Sequence, residues 1–258
     1  MAHAEHPEPA PTAFAPEPFL AELRREGAAT RAAAARIGLG EPVPTCEGWA
    51  VRDVLGHLGR VHRSVSEILE RRSTEIPDVA IPKPPADDAL VAFFDEGLER
   101  LLAALADVAA NDPDATLYTW QGPDTVRFYL RRMAHELAIH RLDAESAGTV
   151  EPGPFDPAMA VDGVDELFEV LVPFSSRRWE RSLPTGTLHL HRTDGPGEWF
   201  VSAADGTVRM THEHTKGDVA VRGSASDLFR FVWNRGRGPG LEVLGDAAVA
   251  DEWAALAP

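Results

Sequence analysis

The chain has 258 residues, of which 44% are hydrophobic, enough for one large domain or two modest ones with a buried core. Its formal charge of -16 at pH 7 argues against nucleic acid as a partner, because such binding depends on cationic side chains that neutralise phosphates. The single cysteine, Cys46, excludes an internal disulfide and any multi-cysteine zinc site.

The first 18 residues are predicted to form a flexible arm. Residues 1–18 are rich in proline and have no hydrophobic periodicity that a core could bury. The N-terminus has no basic region followed by an apolar run, and no segment has the roughly 20 consecutive apolar residues of a membrane span. We therefore expect a cytoplasmic protein without membrane contact.

Residues 19–150 are predicted to form a four-helix bundle. Apolar residues recur at steps of three and four along four segments, as they do on the buried face of a helix. Several prolines between residues 73 and 86 predict an extended connection that allows a crossover. The four periodic segments are 19–37, 51–69, 90–105 and 128–139.

Residues 151–258 are predicted to form a second, α+β domain. Prolines and a glycine at 152–157 mark the boundary, and a helix is expected from Met159 to Phe174. Short alternating segments with turn signals at 194–195 and 205–206 indicate an antiparallel meander. The predicted strands are 187–191, 199–203, 208–211 and 218–221, followed by a helix at 226–233, a strand at 241–244 and a helix at 247–256.

Three residues are candidate metal ligands. Glu136 and His140 lie four residues apart, which places both side chains on one face of the fourth helix. His57 lies near the apolar face of the second helix, where an imidazole needs a partner. If these helices are neighbours, the three form a site with positions open for water or substrate. The same spacings are also typical of a surface hydrogen bond and of a core histidine, so spacing alone leaves both interpretations open.

Four segments carry longer motifs, and they resemble the mycothiol-dependent maleylpyruvate isomerase family. That family lies within the DinB-like superfamily of metal-binding four-helix bundles. The resemblance runs from about Phe19 to the C-terminus, through both predicted domains. The segments are PTCEGWAVRDVLGHL at 44–58, MAHELAIHRLDAE at 133–145, LHLHRTDGPGEW at 188–199 and DVAVRGSASDLFRFVW at 218–233.

The resemblance implies zinc bound by His57, Glu136 and His140, and mycothiol as the thiol cosubstrate. It implies an enzyme that activates the thiol as a metal-bound thiolate, for isomerisation of, or transfer to, a small electrophilic substrate. It further implies that the C-terminal domain lends an arginine to an anionic substrate group. Arg235 is the best match for that arginine, with Arg237 close behind. A monomer or a homodimer is expected.

Further residues near the candidate ligands allow two readings. Asp143, three residues after His140, can support cofactor binding by accepting a hydrogen bond from the ligand imidazole, or can be a surface acid. His62 and His135 are each five residues from a proposed ligand, roughly 140° round the helix, and are not expected as ligands. Cys46 is interpreted as a packing residue, since no basic neighbour in sequence lowers its pKa.

Two histidine pairs lie in the predicted strands of the second domain. His189 with His191, and His212 with His214, are two residues apart, so each pair shares one face of a strand. Either pair can in principle hold a metal, but solvent-facing histidines are the preferred interpretation.

Two other functions stay open at this point. One is a metal-dependent hydrolase in which no thiol takes part. The other is a non-enzymatic protein that binds a metal or an apolar ligand. A hydrolase would turn over its substrate without the thiol, whereas the predicted enzyme needs the thiol. In a non-enzymatic binding protein, His57→Ala would leave ligand binding intact.

Overall fold

The N-terminal half of the chain is a four-helix bundle, as predicted. The computed structural model describes residues 15–257, so most of the predicted arm lies outside the described residues. Helix α2 packs against α3 and α4, and α1 packs against α4. Their apolar stripes meet in one core that includes Leu23, Leu55, Leu58, Phe94 and Leu137. The helices are α1 (Glu17–Ile37), α2 (Val51–Arg71), α3 (Asp87–Asn111) and α4 (Val126–Ser146), so helix α1 starts within the segment predicted as an arm.

The second half contains helices and a five-stranded sheet, which agrees with the predicted α+β class. The break predicted near residue 151 falls in the connection between α4 and α5. The predicted helix at 159–174 extends further at both ends and is interrupted by a π-helical turn at Leu167–Leu171. The elements are α5 (Pro157–Glu166), α6 (Val172–Arg178), β1 (Leu188–Arg192), β2 (Glu198–Ala204), β3 (Thr207–Thr211), β4 (Val219–Gly223), α7 (Ala225–Val232), β5 (Glu242–Gly245) and α8 (Ala247–Ala254).

The sheet is mixed, and the prediction of a wholly antiparallel meander was wrong. The strand order is β3-β2-β1-β4-β5, and β4 pairs with β1 in parallel, while the other neighbouring pairs are antiparallel. Residues 212–217 therefore cross from the edge strand β3 to the far side of β1. Alternating hydrophobicity shows which face of a strand is buried, but it does not show which strands are paired, so the crossover could not be read from it.

The two faces of the sheet differ in character. Helices α7 and α8 cover β1 and β4 on one face, where the strands contribute their apolar side chains. The apolar face carries Leu188, Leu190, Trp199, Val201, Val219 and Val221, and the opposite face carries His189, His191, Glu198, Ala220 and Arg222. Among the described helices, none is long and apolar enough to cross a membrane.

Helix α4 is shared by the two halves of the molecule. Its residues Ala138, Ile139 and Leu142 pack in the C-terminal core. Its buried polar side chains also reach α5, because Arg132 donates to Glu166 at 2.5 Å and His135 Nε2 lies 2.7 Å from an oxygen of Asp162. His135 is thus committed to the contact between the halves. The expectation that it is not a ligand of the candidate site agrees with this placement.

His62 is a buried histidine in the bundle core whose ring makes no hydrogen bond to any described residue. Its side chain is 1% exposed and packs beside Phe94, and neither ring nitrogen has a partner among the described residues. Burial lowers the pKa of His62 from its usual 6.5 to about 3, because the core disfavours a charged imidazole. The folded protein therefore holds this ring neutral while the unfolded chain can protonate it.

We expect this histidine to make the protein sensitive to acid. Because its pKa is lower in the folded state, stability is lost as pH falls below about 6.5 toward 3. Urea unfolding of metal-free wild type and His62→Leu at pH 7 and pH 5 measures the effect. Between pH 7 and pH 5, wild type should lose about 2 kcal/mol more of its free energy of unfolding than the variant does. This figure follows from about 1.4 kcal/mol for each pKa unit. An unchanged difference between the two proteins would contradict this account of His62.

Candidate metal centre

Helices α2 and α4 bring three predicted ligands together. His57 Nε2 lies 2.9 Å from Glu136 Oε1, and His140 Nε2 lies 3.5 Å from the same oxygen. One ligand atom from each residue lies within 4.8 Å of the other two. The i,i+4 spacing on α4 supplies two of these side chains, and the packing of α2 on α4 supplies the third. All three are half-buried, so the group is reachable from outside.

The protonation of the group is set by its own contacts. Although burial favours the neutral acid, hydrogen bonds from His140 and His57 hold the pKa of Glu136 well below its usual range. Burial also opposes a charged His140, yet hydrogen bonds to Asp143 and Glu136 raise the pKa of His140 to about 9. Without a metal, the His140 ring is therefore protonated on both nitrogens at neutral pH. A metal ion that binds Nε2 has to displace the proton there.

Asp143 fixes the orientation of His140. His140 Nδ1 lies 2.9 Å from Asp143 Oδ2, which leaves Nε2 directed at Glu136. Asp143 is fully buried, and Thr45 Oγ1 donates to its Oδ1 at 2.6 Å. A carboxylate behind a ligand imidazole is the usual way proteins set the ring tautomer at a metal. Its buried position means that Asp143 acts on a bound cofactor through His140.

Arg235 reaches this group from the C-terminal half. Its Nε donates to Asp143 Oδ1 at 2.8 Å, and a terminal nitrogen donates to the carbonyl of Trp233 at 2.9 Å. The guanidinium therefore lies behind His140, and its role toward a substrate anion stays a prediction. Arg237, in contrast, is exposed and pairs with Asp251.

Cys46 lies against the same carboxylate. Its Sγ is 3.3 Å from Asp143 Oδ2. Burial and the negative charge of Asp143 raise the pKa of the Cys46 thiol to about 11, and the nearby Arg235 offsets only part of that effect. A thiol of such high pKa is a poor nucleophile, in line with the interpretation of Cys46 as a packing residue. Cys46, His140 and Asp143 also come close enough to share an ion, but Thr45 and Arg235 already occupy the carboxylate.

Two residues that the sequence reasoning did not single out support the ligands. The Trp49 ring stacks on His140 at 5.8 Å between centroids and lies 5.3 Å from the His57 ring. Arg132 is buried and donates to Glu136 Oε2 at 3.4 Å while it holds Glu166 of α5. The signal for Arg132 was present in the four-residue steps from Arg132 to Glu136 to His140, which put all three on one face of α4.

Two cavities lie next to the candidate ligands, one lined by His57 and the other by Glu136. A cavity of about 770 Å³ on the His57 side has a mixed lining, in which Arg52, Asp53 and Arg60 lie beside apolar residues such as Pro84 and Leu90. A second cavity, of about 370 Å³, opens on the Glu136 side and is lined by aromatic and aliphatic side chains, which include Tyr118, Trp120, Met133, Phe174 and Trp179. Val61 and Val65 line both cavities. Two of the three ligands therefore border cavities of different character, whereas His140 lines neither cavity.

The residues present fit a divalent metal. Two imidazoles and one carboxylate, with further positions open to the cavities, match the protein ligands of catalytic zinc sites. The polar atoms converge on a common point, and Asp143 and Arg132 hold two of the ligands from behind. His57, Glu136 and His140 are the residues that would hold the ion.

Four N-terminal helices followed by a unit with a five-stranded mixed sheet and helices define the fold class of this protein. A family model described as the mycothiol maleylpyruvate isomerase N-terminal domain matches residues 20–145, and the model for the C-terminal domain of the same family matches residues 158–252. The chain belongs to the mycothiol-dependent maleylpyruvate isomerase family, which is a family of enzymes.

Solved structures agree with this assignment at the level of the fold. A crystal structure of the mycothiol-dependent maleylpyruvate isomerase is similar with a TM-score of 0.65 and 17% identity, over 89% of this chain and 93% of that chain. A histidine-to-alanine mutant of that isomerase is similar with a TM-score of 0.56 and 16% identity, over the same shares of the two chains. No match is found among curated proteins.

Proposed function

We propose that this protein is a zinc-dependent enzyme that uses mycothiol, for isomerisation of a small electrophile or for transfer of the thiol to it. The observation that carries the proposal is the group formed by His57, Glu136 and His140, of which His57 and Glu136 each line a cavity. When bound, a divalent metal lowers the pKa of a thiol that it contacts, so that the thiolate nucleophile is available near neutral pH.

The chain's own residues orient the ligands and keep them rigid. Asp143 holds His140 in one tautomer, and Arg132 holds the second oxygen of Glu136. The Trp49 ring covers both imidazoles and shields them on that side. Such support limits the reorganisation that the site needs when a cation and a substrate bind.

We assign the two substrates to different cavities. Mycothiol is an uncharged pseudodisaccharide whose hydroxyl groups suit the cavity beside His57, where Arg52, Asp53 and Arg60 offer hydrogen-bonding partners. The apolar cavity beside Glu136 suits an electrophile with an aromatic or aliphatic body, because few polar groups line it. Its volume of about 370 Å³ lies within the range of small-molecule sites.

The test is turnover of two electrophiles by the zinc-loaded protein, with and without mycothiol. One is maleylpyruvate, a dianion, and the other is an aryl halide such as a chlorodinitrobenzene, from which the thiolate displaces chloride. We expect turnover only with both zinc and mycothiol, and a higher kcat/KM for the aryl electrophile. Turnover without the thiol would overturn the proposal in favour of a metal-dependent hydrolase.

A single exposed aromatic residue tests the assignment of the apolar cavity. Trp179 lines this cavity and is 51% exposed, so Trp179→Ala should leave the fold intact. Loss of its contact should raise KM for the aryl electrophile about five- to tenfold and leave KM for mycothiol unchanged. Ile76→Ala, which removes an exposed apolar side chain that lines neither cavity, is the control. Equal effects of Trp179→Ala on both KM values would contradict the assignment.

A further inference from the structure

A second group of metal-ligating side chains lies in the C-terminal domain, on the polar face of the sheet. His189 and His191 come from β1, Glu198 comes from β2, and His214 comes from the crossover between β3 and β4. One ligand atom from each of the four lies within 4.8 Å of the others. His189 is only 7% exposed, so the preference for solvent-facing histidines was wrong at this position.

The carboxylate of Glu198 contacts three imidazoles. His189 Nε2 lies 2.5 Å from one oxygen of Glu198, while His191 Nδ1 and His214 Nδ1 lie 2.5 Å and 3.1 Å from the other. Burial would raise the pKa of Glu198, but the three imidazole contacts lower it, so this side chain is a carboxylate. Three ring nitrogens and a carboxylate that face a common point are the arrangement in which proteins bind a transition metal.

The fold explains how His214 reaches the strands. Residues 212–217 carry the chain from β3 at the sheet edge to β4 on the far side of β1. The crossover ends at Gly217, where a Cβ would lie 3.0 Å from the backbone nitrogen of His189, so only glycine allows this approach. The backbone amide of Thr187 donates to the Asp218 carboxylate, and the backbone amide of Asp218 donates to the Thr187 hydroxyl. His214 is thereby held over His189, with ring centroids 5.1 Å apart.

His212, two residues earlier, points elsewhere. Its Nε2 lies 3.6 Å from Asp165 on α5, and its ring lies beside Trp199, whose side chain belongs to the apolar face. The sequence paired His212 with His214, whereas the structure pairs His214 with His189 and His191. His212 therefore supplies a natural control on the same crossover.

We propose that His189, His191, Glu198 and His214 bind one divalent first-row transition metal ion, such as zinc, that fastens the crossover to the sheet. Imidazole ligands favour zinc, cobalt, nickel and copper over magnesium and calcium, which prefer oxygen. Four protein ligands are typical of a structural site, in contrast to the three ligands on α2 and α4. A cavity of about 740 Å³, lined also by Lys216 and Arg222, gives the ion a way in.

Zinc titration tests this site separately from the first one. The tag-free His57→Ala/His140→Ala variant removes two ligands of the α2 and α4 centre. Calorimetry with zinc alone should still give one equivalent bound per chain, and zinc should raise Tm. Introducing His214→Ala should weaken this binding at least about 100-fold, since each ligand contributes a share of the total metal affinity. The N-terminal histidines His3 and His6 are present in every variant. Any zinc that they bind therefore does not change the difference between variants.

Controls separate a metal site from a hydrogen-bonded cluster. His212→Ala should leave both the stoichiometry and the Tm shift unchanged. His214 is on an exposed part of the crossover, with 76% of its side chain accessible, so its replacement should not prevent folding. Zinc binding that is absent from the His57→Ala/His140→Ala variant, or that His214→Ala leaves unchanged, would overturn the second site. Neither result would bear on the proposed enzyme activity.

Discussion

His57→Ala or His140→Ala should weaken metal binding at the α2 and α4 centre about 100- to 1000-fold and abolish thiol-dependent turnover. Structural zinc sites with four ligands bind with about 10–16 kcal/mol, so one ligand accounts for about 3–4 kcal/mol of that affinity. Both histidines lie against the same oxygen of Glu136, and either loss leaves only two protein ligands. Competition with a chromophoric chelator measures the affinity, and elemental analysis measures the metal content.

His212→Ala is the control for this experiment, because it removes a histidine that belongs to neither ligand group. Measurements are best made in the His214→Ala background, so that metal held in the C-terminal domain does not mask the loss. Retention of wild-type metal affinity by either His57→Ala or His140→Ala would show that the ligand assignment is wrong.

Arg235→Ala should destabilise the protein by about 2–3 kcal/mol, because the buried Asp143 carboxylate then loses one of its two cationic partners and keeps only His140. It should also weaken metal binding about 10- to 100-fold, since Asp143 orients His140. Urea unfolding and the chelator competition measure the two effects. Arg237→Ala, two residues away and exposed, should change stability by no more than about 1 kcal/mol.

The double variant Arg235→Ala/Asp143→Asn distinguishes charge from packing. Removing the carboxylate charge should restore much of the stability that Arg235→Ala loses, because the buried negative charge that Arg235 balances is then absent. Metal affinity should stay low, because Asp143→Asn removes the carboxylate partner of His140. If the double variant is as unstable as Arg235→Ala, the stabilising role of Arg235 lies in packing and not in its charge.

The helices and the ligand pair on α4 could be predicted because both depend on local spacing. Periodicity placed the second helix at 51–69, and the structure has it at Val51–Arg71. Glu136 and His140 share a face for the same reason. That His57 joins them depends on how α2 packs on α4, which spacing alone left open and which the family resemblance implied.

Contacts between distant segments could not be predicted from the sequence. Arg235 meets Asp143 across 92 positions in the chain, and no local pattern records such a contact. The grouping of His214 with His189 depends on a crossover that ends beside β1, whereas strand alternation pairs only residues two apart. The parallel pairing of β1 and β4 was missed for the same reason.

The central claim is that the metal held by His57, Glu136 and His140 contacts the thiol of mycothiol. The direct test loads the His189→Ala/His214→Ala variant with cobalt and follows its absorption as mycothiol is added. We predict a thiolate-to-cobalt charge-transfer band that grows until one equivalent of thiol has been added. The band should be absent when His57→Ala is introduced into the same variant. A cobalt-loaded protein that turns over its electrophile with mycothiol, while its spectrum does not respond to the thiol, would contradict the account.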